Sequence, residues 1–166
     1  KQGMKPEGTN KRLMEIVLRG KDQLENFVRN FLLLARTVPA ARETVDVNRI
    51  IEEILEAIVL NKAWNGKIEI NKLFSKDVRI FANKEQVRQI LNNIIANAVE
   101  AMEEGGLLSI GTRVVQTSGK KKYAEIVVSD TGCGIKEEDL NKIFEPFFTK
   151  KTRGTGLGLA IVNHLV

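Results

Sequence analysis

The chain has 166 residues, 43% of them hydrophobic, and Lys plus Arg exceed Asp plus Glu by five. That length supports one well-formed core with a smaller helical appendage, and no apolar run comes near the ~20 residues a bilayer-spanning helix requires. A single cysteine, Cys133, excludes both an internal disulfide framework and a cysteine cage for a metal. The positive charge is uneven: residues 1–40 carry a net +4 and residues 41–166 a net +1. With one Trp, one Tyr and no aromatic residues interleaved among the basic ones, nucleic acid is not an expected partner. The sequence opens on Lys1 with no signal-peptide pattern, so it is expected to be a piece of a longer protein.

From Thr9 to Val38 the apolar positions alternate spacings of four and three. Leu13, Val17, Gly20, Leu24, Phe27, Phe31, Leu34 and Val38 fall on one seam, widened by Ile16, Val28 and Ala35 into a bundle-type face that asks for a partner helix. Pro39 ends this helix and a polar hinge to Glu43 follows, which divides the chain into 1–40 and 41–166. Thr44–Val47 reads as an edge strand, and Asn48 as the cap of a helix reaching Ala63. Strands are expected at Lys67–Leu73 and Val78–Ala82.

The clearest helix runs from Lys84 to Glu104. Val87, Ile90, Leu91, Ile94, Ile95, Ala98, Val99 and Met102 form its apolar stripe, while Gln86, Asn93, Asn97 and Glu100 share another face. Gly105-Gly106 stops it. Leu107–Val115 and Tyr123–Ser129 then form a hairpin around a Ser118–Lys122 tip. Helices and hairpin together predict an α+β two-layer sandwich.

Three segments carry chemistry. Asp130 ends the apolar strand Ile126-Val127-Val128, where a partly buried carboxylate needs donors and an adenine amine supplies one. Gly132 and Gly134 let the backbone approach a flat ligand. Gly154-Thr155-Gly156-Leu157-Gly158 opens into Leu159-Ala160-Ile161-Val162, so bare amides at a helix start offer an anion site. No Lys-Ser/Thr follows the glycines, which excludes a Walker loop. Asn97 presents a neutral oxygen on a rigid helix, enough for magnesium, which keeps waters and phosphates as its other ligands. Between the glycine segments, Phe144-Glu145-Pro146-Phe147-Phe148 with Lys150, Lys151 and Arg153 reads as a lid, docked by its aromatics and reaching phosphate with its cations.

The order LNNIIANAVEAM, DTGCGI, FEPFFTKK, GTGLGLAIV resembles the N box, first glycine box, F box and second glycine box of the sensor histidine kinases of two-component signalling. The wording is most similar to the nitrogen-regulation and sporulation-type branch, and the likeness covers about residues 9–166. It implies a Bergerat-type ATP-binding fold on 41–166, with residues 1–40 as the second helix of a dimerisation hairpin and a homodimer through that helix. It implies ATP and Mg2+ as cofactors, with Asn97 as the metal ligand and Asn93 its companion. Asp130 accepts from adenine, Gly132 and Gly134 shape the base pocket, Gly154, Gly156 and Gly158 line the phosphates, and Lys150 or Lys151 steadies the γ-phosphate. Ile135, Phe144, Thr149, Thr155 and Leu157 fall along the same nucleotide by that resemblance. A response regulator is the implied partner and the cytoplasm the implied location, with any membrane anchor lying in regions outside the chain.

Two departures stand out. The family's acceptor histidine lies on a hairpin helix not found in this sequence; the one histidine, His164, follows the second glycine box and is expected at the surface. The sequence also stops short of the His-Gly-Gly turn and final strands with which the family continues. ATP-hydrolysing members of the superfamily carry a Glu where this chain has Asn93. An amide accepts no proton near neutral pH, whereas a neutral imidazole is already nucleophilic, so Asn93 favours phosphotransfer over an ATP-hydrolysing switch or a non-catalytic nucleotide-binding module.

Overall fold

The computed structural model describes residues 41–60, 67–117, 119, 121–151 and 154–166, together with Leu13, Met14, Val17, Leu18, Gly20, Lys21, Leu24, Glu25 and Val28. Those nine upstream residues are helical, and Leu13, Val17, Gly20, Leu24 and Val28 of the expected seam are exposed. The rest of that seam and the Pro39 stop lie outside the described residues.

Strand β1 (Glu43–Asp46) leads directly into helix α1 (Val47–Leu60). Val47, Ile50, Ile51, Ile54 and Leu55 repeat at helical spacing and are all buried, each side chain contributing about 1.5–3 kcal/mol of gross hydrophobic stabilisation. The cap is Asp46, whose Oδ1 accepts from Arg49 N at 3.2 Å, and not Asn48. Asn48 is inside the first turn and does other work: its Nδ2 donates to Ser75 O at 2.8 Å and its Oδ1 accepts from the buried Thr112 hydroxyl at 2.7 Å. A side chain satisfied by a distant carbonyl and a distant hydroxyl is not free to fold back on its own helix.

Strand β2 (Ile68–Phe74) pairs in parallel with β4 (Gly106–Gln116), which pairs antiparallel with β5 (Lys122–Asp130). Strand β3 (Arg79–Ala82) leaves this sheet and pairs antiparallel with β1. The order is thus β2-β4-β5 in one sheet and β1-β3 in another, with β3 also meeting β5. A parallel β2–β4 pair requires a crossover, and the crossover carries helix α2 (Lys84–Glu100). Asn83 caps α2 by accepting from Gln86 N at 2.9 Å, and its amide donates to Ala41 O at the same distance.

Leu108, Ile110 and Thr112 alternate inward from β4 against Leu91, Ile95, Ala98 and Val99 of α2 and the buried face of α1. An ion pair from Arg88 to Glu53 ties the two helices at their rim. Within residues 41–166 the described residues form two sheets and the helices α1, α2 and α3 (Gly158–Leu165), which give the expected α+β class. The helix α2 ends at Glu100, one turn before Glu104. Met102 N turns back to Val99 O at 3.1 Å, Met102 is buried, and Ala101 O accepts from Cys133 N. The chain then corners through Gly105, with φ 101°, where a Cβ would stand 2.5 Å from Lys67 O.

Candidate nucleotide site on helix α2

Helix α2 carries the two amides and, with the Ala101 that caps it, holds the two glycine segments about two turns apart. Ala101, one turn beyond Asn97, receives the Asp130 loop: Cys133 N donates to Ala101 O at 3.1 Å, and a Cβ on Gly132 would stand 2.5 Å from that oxygen. Only glycine allows the loop to sit so close. One turn before Asn97, the Asn93 side chain faces Gly158, its Oδ1 3.5 Å from where a Cβ would be. The two loops are eight residues of helix apart, about 12 Å at 1.5 Å per residue. That is a span on the scale of an extended nucleoside triphosphate.

At the base end, Asp130 closes β5 opposite Leu108. Its Oδ1 accepts from Gly132 N at 2.9 Å, which leaves Oδ2 for another donor. The carboxylate is exposed, not partly buried as the apolar strand before it suggested, because β5 ends at the sheet margin. Thr131 fixes the loop from behind, accepting from Leu107 N at 3.0 Å. Gly134 has φ 68° with open space above it, and Ile135 is exposed beside it.

At the other end, α3 begins at Gly158 with no side-chain cap, so its first-turn N–H groups remain available to an anion. Leu157 is fully buried; it anchors the turn as a core side chain, and only its backbone can face a ligand. Thr155 Oγ1 accepts from Leu157 N at 3.4 Å. Gly156, with φ 67°, lies against the Phe147 backbone, and Phe147 N donates to Gly156 O at 2.9 Å. Backbone contact thus docks the intervening segment, and of the aromatics expected to dock it Phe148 is half-buried while the Phe144 and Phe147 rings are exposed.

The two lysines separate. Lys150 Nζ lies 2.5 Å from Asp139 Oδ2, on a 3-10 turn at Glu137–Asp139, and 3.8 Å from Glu138. The Asp139 hydrogen bond raises the Lys150 pKa above its ordinary value. Lys151 instead reaches α2, its Nζ 3.1 Å from Asn97 Oδ1 and 2.6 Å from Glu100 Oε2. Thr149 Oγ1 accepts from Lys151 N at 3.1 Å and packs beside Gly154. Arg153 is outside the described residues, and His164 is exposed on α3.

These residues fit a magnesium nucleotide on two observations. An ammonium already stands at Asn97 Oδ1, so the carboxamide is aimed to receive a cation. The Asn93 amide nitrogen is buried without a hydrogen-bond partner among the described residues, a costly arrangement unless a ligand oxygen or water completes it. Among the described residues no group of three His, Cys, Asp or Glu could hold a metal by itself, consistent with a site leaning on phosphate oxygens. Clefts of about 510 and 210 Å3 open elsewhere, beside Phe81 and Tyr123 and between α1 and α2; neither contains Asp130 or the second glycine segment. Sequence reasoning missed the roles of Ala101 O, Asp139 and Glu100. Glu100's place on the Asn93–Asn97 face was the available signal.

Residues 82–166 match the family described as histidine kinase-, DNA gyrase B-, and HSP90-like ATPase. The chain is 32% identical over 160 residues to the sensor histidine kinase ZraS of Escherichia coli (strain K12), covering 96% of this chain and 33% of that protein. It is 34% identical over 169 residues to sporulation kinase A of Bacillus subtilis (strain 168), covering 99% and 27%. The chain thus spans about a third or less of these curated relatives. Among solved structures it is similar to full-length ShkA in complex with AMPPNP, with TM-score 0.72, 29% identity, and 93% and 33% coverage. The histidine kinase ThkA in complex with response regulator TrrA superposes with TM-score 0.71 at 28% identity, covering 100% of this chain and 46% of that one.

Proposed function

The chain belongs to the histidine kinase-, DNA gyrase B- and HSP90-like ATPase family, within its sensor histidine kinases, and on that premise we propose that it binds Mg-ATP and transfers the γ-phosphate to a histidine on a dimerisation helix. Relay to a response-regulator aspartate follows in the two-component scheme, a partnership supported by the likeness to the ThkA–TrrA complex. In this reading residues 1–40 supply the second dimerisation helix of a homodimer and residues 41–166 the catalytic domain, working in the cytoplasm.

The observation that carries the proposal is the joint support of both glycine segments by α2, through Ala101 and beside Asn93. Asp130 Oδ1 is fixed by Gly132 N–H, so Oδ2 accepts from the adenine amine. The uncapped first turn of α3 holds phosphate oxygens. Asn93 donates its unpaired Nδ2–H toward the same oxygens or their water. Asn97 would hold the magnesium ion, which when bound offsets charge on the phosphates. Among the described residues, Lys151 is the cation within reach of that region, whereas Lys150 is committed to Asp139. No described carboxylate occupies the Asn93 position to draw a proton from water, so an acceptor bringing its own lone pair is favoured.

The test is to supply a dimerisation hairpin bearing an acceptor histidine to this chain with labelled ATP. Label should pass to the hairpin in trans, and Asn97→Asp should lose transfer and shift the metal dependence while adenosine still competes for binding. Steady hydrolysis without acceptor, at a rate matching transfer, would replace the kinase reading with an ATP-driven switch.

A further inference from the structure

Lys151 and Glu100 form a contact that the nucleotide roles leave unused. The Lys151 backbone is held on both sides, its N–H donating to Thr149 Oγ1 at 3.1 Å and its carbonyl accepting from Gly154 N at 3.2 Å. Its side chain runs to α2, where Glu100 Oε2 takes the ammonium at 2.6 Å and Asn97 Oδ1 takes it at 3.1 Å. Glu100 lies three residues beyond Asn97 on the same helical face. Lys150 is turned to Asp139, so among the described residues Lys151 is the cation that reaches Asn97.

Two cations cannot share one carboxamide oxygen at about 3 Å without strong mutual repulsion. We infer that Glu100 is a positioning residue: it holds the Lys151 ammonium on Asn97 Oδ1 as the alternative to a divalent cation, and a cation arriving with nucleotide turns Lys151 out toward the phosphates. The inference rests on the nucleotide reading above for its second half. The two side chains are 43% and 51% exposed, so the tie belongs to the weak class of ion pairs, strong enough to bias the loop and weak enough to be displaced.

Amide hydrogen exchange on the nucleotide-free chain tests the first half. Glu100→Gln should speed exchange across 147–151 and 154–157 by about two- to fivefold, the range an exposed ion pair supplies. Exchanging the charges, Glu100→Lys with Lys151→Glu, should restore slow exchange. For the second half, magnesium is titrated at fixed AMP-PNP, and Glu100→Gln should lower the magnesium needed for half-saturation by about two- to fivefold. Unchanged exchange overturns the tie. A raised magnesium requirement overturns the competition, since Glu100 would then serve the metal directly. Exchange that shifts as expected in a chain that binds no AMP-PNP retains the Glu100–Lys151 tie and overturns the nucleotide reading.

Discussion

Replacing Gly132 with alanine asks whether Asp130 owes its position to the contact between its loop and α2. The added Cβ would stand 2.5 Å from Ala101 O and 2.7 Å from Ala101 C and Cβ, and ordinary contact begins at 3.4 Å. The loop must therefore retreat by about 0.9 Å, because neither neighbour is a flexible side-chain end. Retreat lengthens the 3.1 Å bond from Cys133 N to Ala101 O, at a stability cost of about 0.5–1.5 kcal/mol. Asp130 moves with the loop and would lose the hydrogen bond to adenine proposed for it, worth about 1.5–3 kcal/mol for a charged acceptor. Nucleotide affinity should fall roughly 10- to 150-fold. Calorimetric titration should show equal losses for ATP and ADP, because the damage is at the base, with thermal unfolding lower by only a few degrees. Affinity within about threefold of the parent in a folded variant, or a loss confined to ATP, would refute the assignment of Asp130 to the base.

Gly156→Ala damages the opposite end. Its φ of 67° costs a β-carbon residue about 1–2 kcal/mol, and the Cβ meets Phe147 C at 2.4 Å, so ATP should weaken roughly tenfold more than adenosine does in competition binding. Asn93→Leu removes a buried donor whose lack of a partner costs about 1–3 kcal/mol. Thermal unfolding should stay level or rise while phosphotransfer falls at least roughly tenfold; a large loss of stability would show that Asn93 has a protein partner. Glu53 is held below the ordinary carboxylate value of 4.5, first by its hydrogen bond from Arg88. A lowered folded pKa gives stability above the unfolded pKa and loses it as pH falls through the folded one. Melting of the parent and Glu53→Gln should therefore differ at neutral pH and converge below 4.5, and a pH-independent difference would discount the pair.

Periodicity and glycine placement carried much of this fold. The five buried positions of α1 and the stripe of α2 follow directly from helical spacing, and the β4–β5 hairpin from strand patterns around a polar tip. Pairing was not legible: β2 and β3 are neighbours in sequence, yet β2 lies parallel to β4 and β3 joins β1. Hydrophobic alternation marks a strand without naming its partner. The candidate site was readable as residue types, and less so as contacts. Asn48 reads as a cap until Ser75 and Thr112 claim it, and α2 reads through Glu104 until Ala101 O meets Cys133 N. Lys150 and Lys151 are equivalent in one dimension; Asp139 and Glu100 separate them in three.

The bonds joining Asn48, Ser75 and Thr112 close a ring, completed by Ser75 N to Thr112 O at 2.9 Å. This knot lies on β4 four positions from Leu108, the partner of Asp130, about 13 Å along the strand. Its polar groups satisfy one another, with Thr112 buried and Ser75 exposed, so opening one bond leaves the buried Thr112 hydroxyl short of its partner. The ring thus ties the sheet to helix α1 at the end away from Asp130. Parting β4 from helix α1 therefore means breaking this ring as a unit.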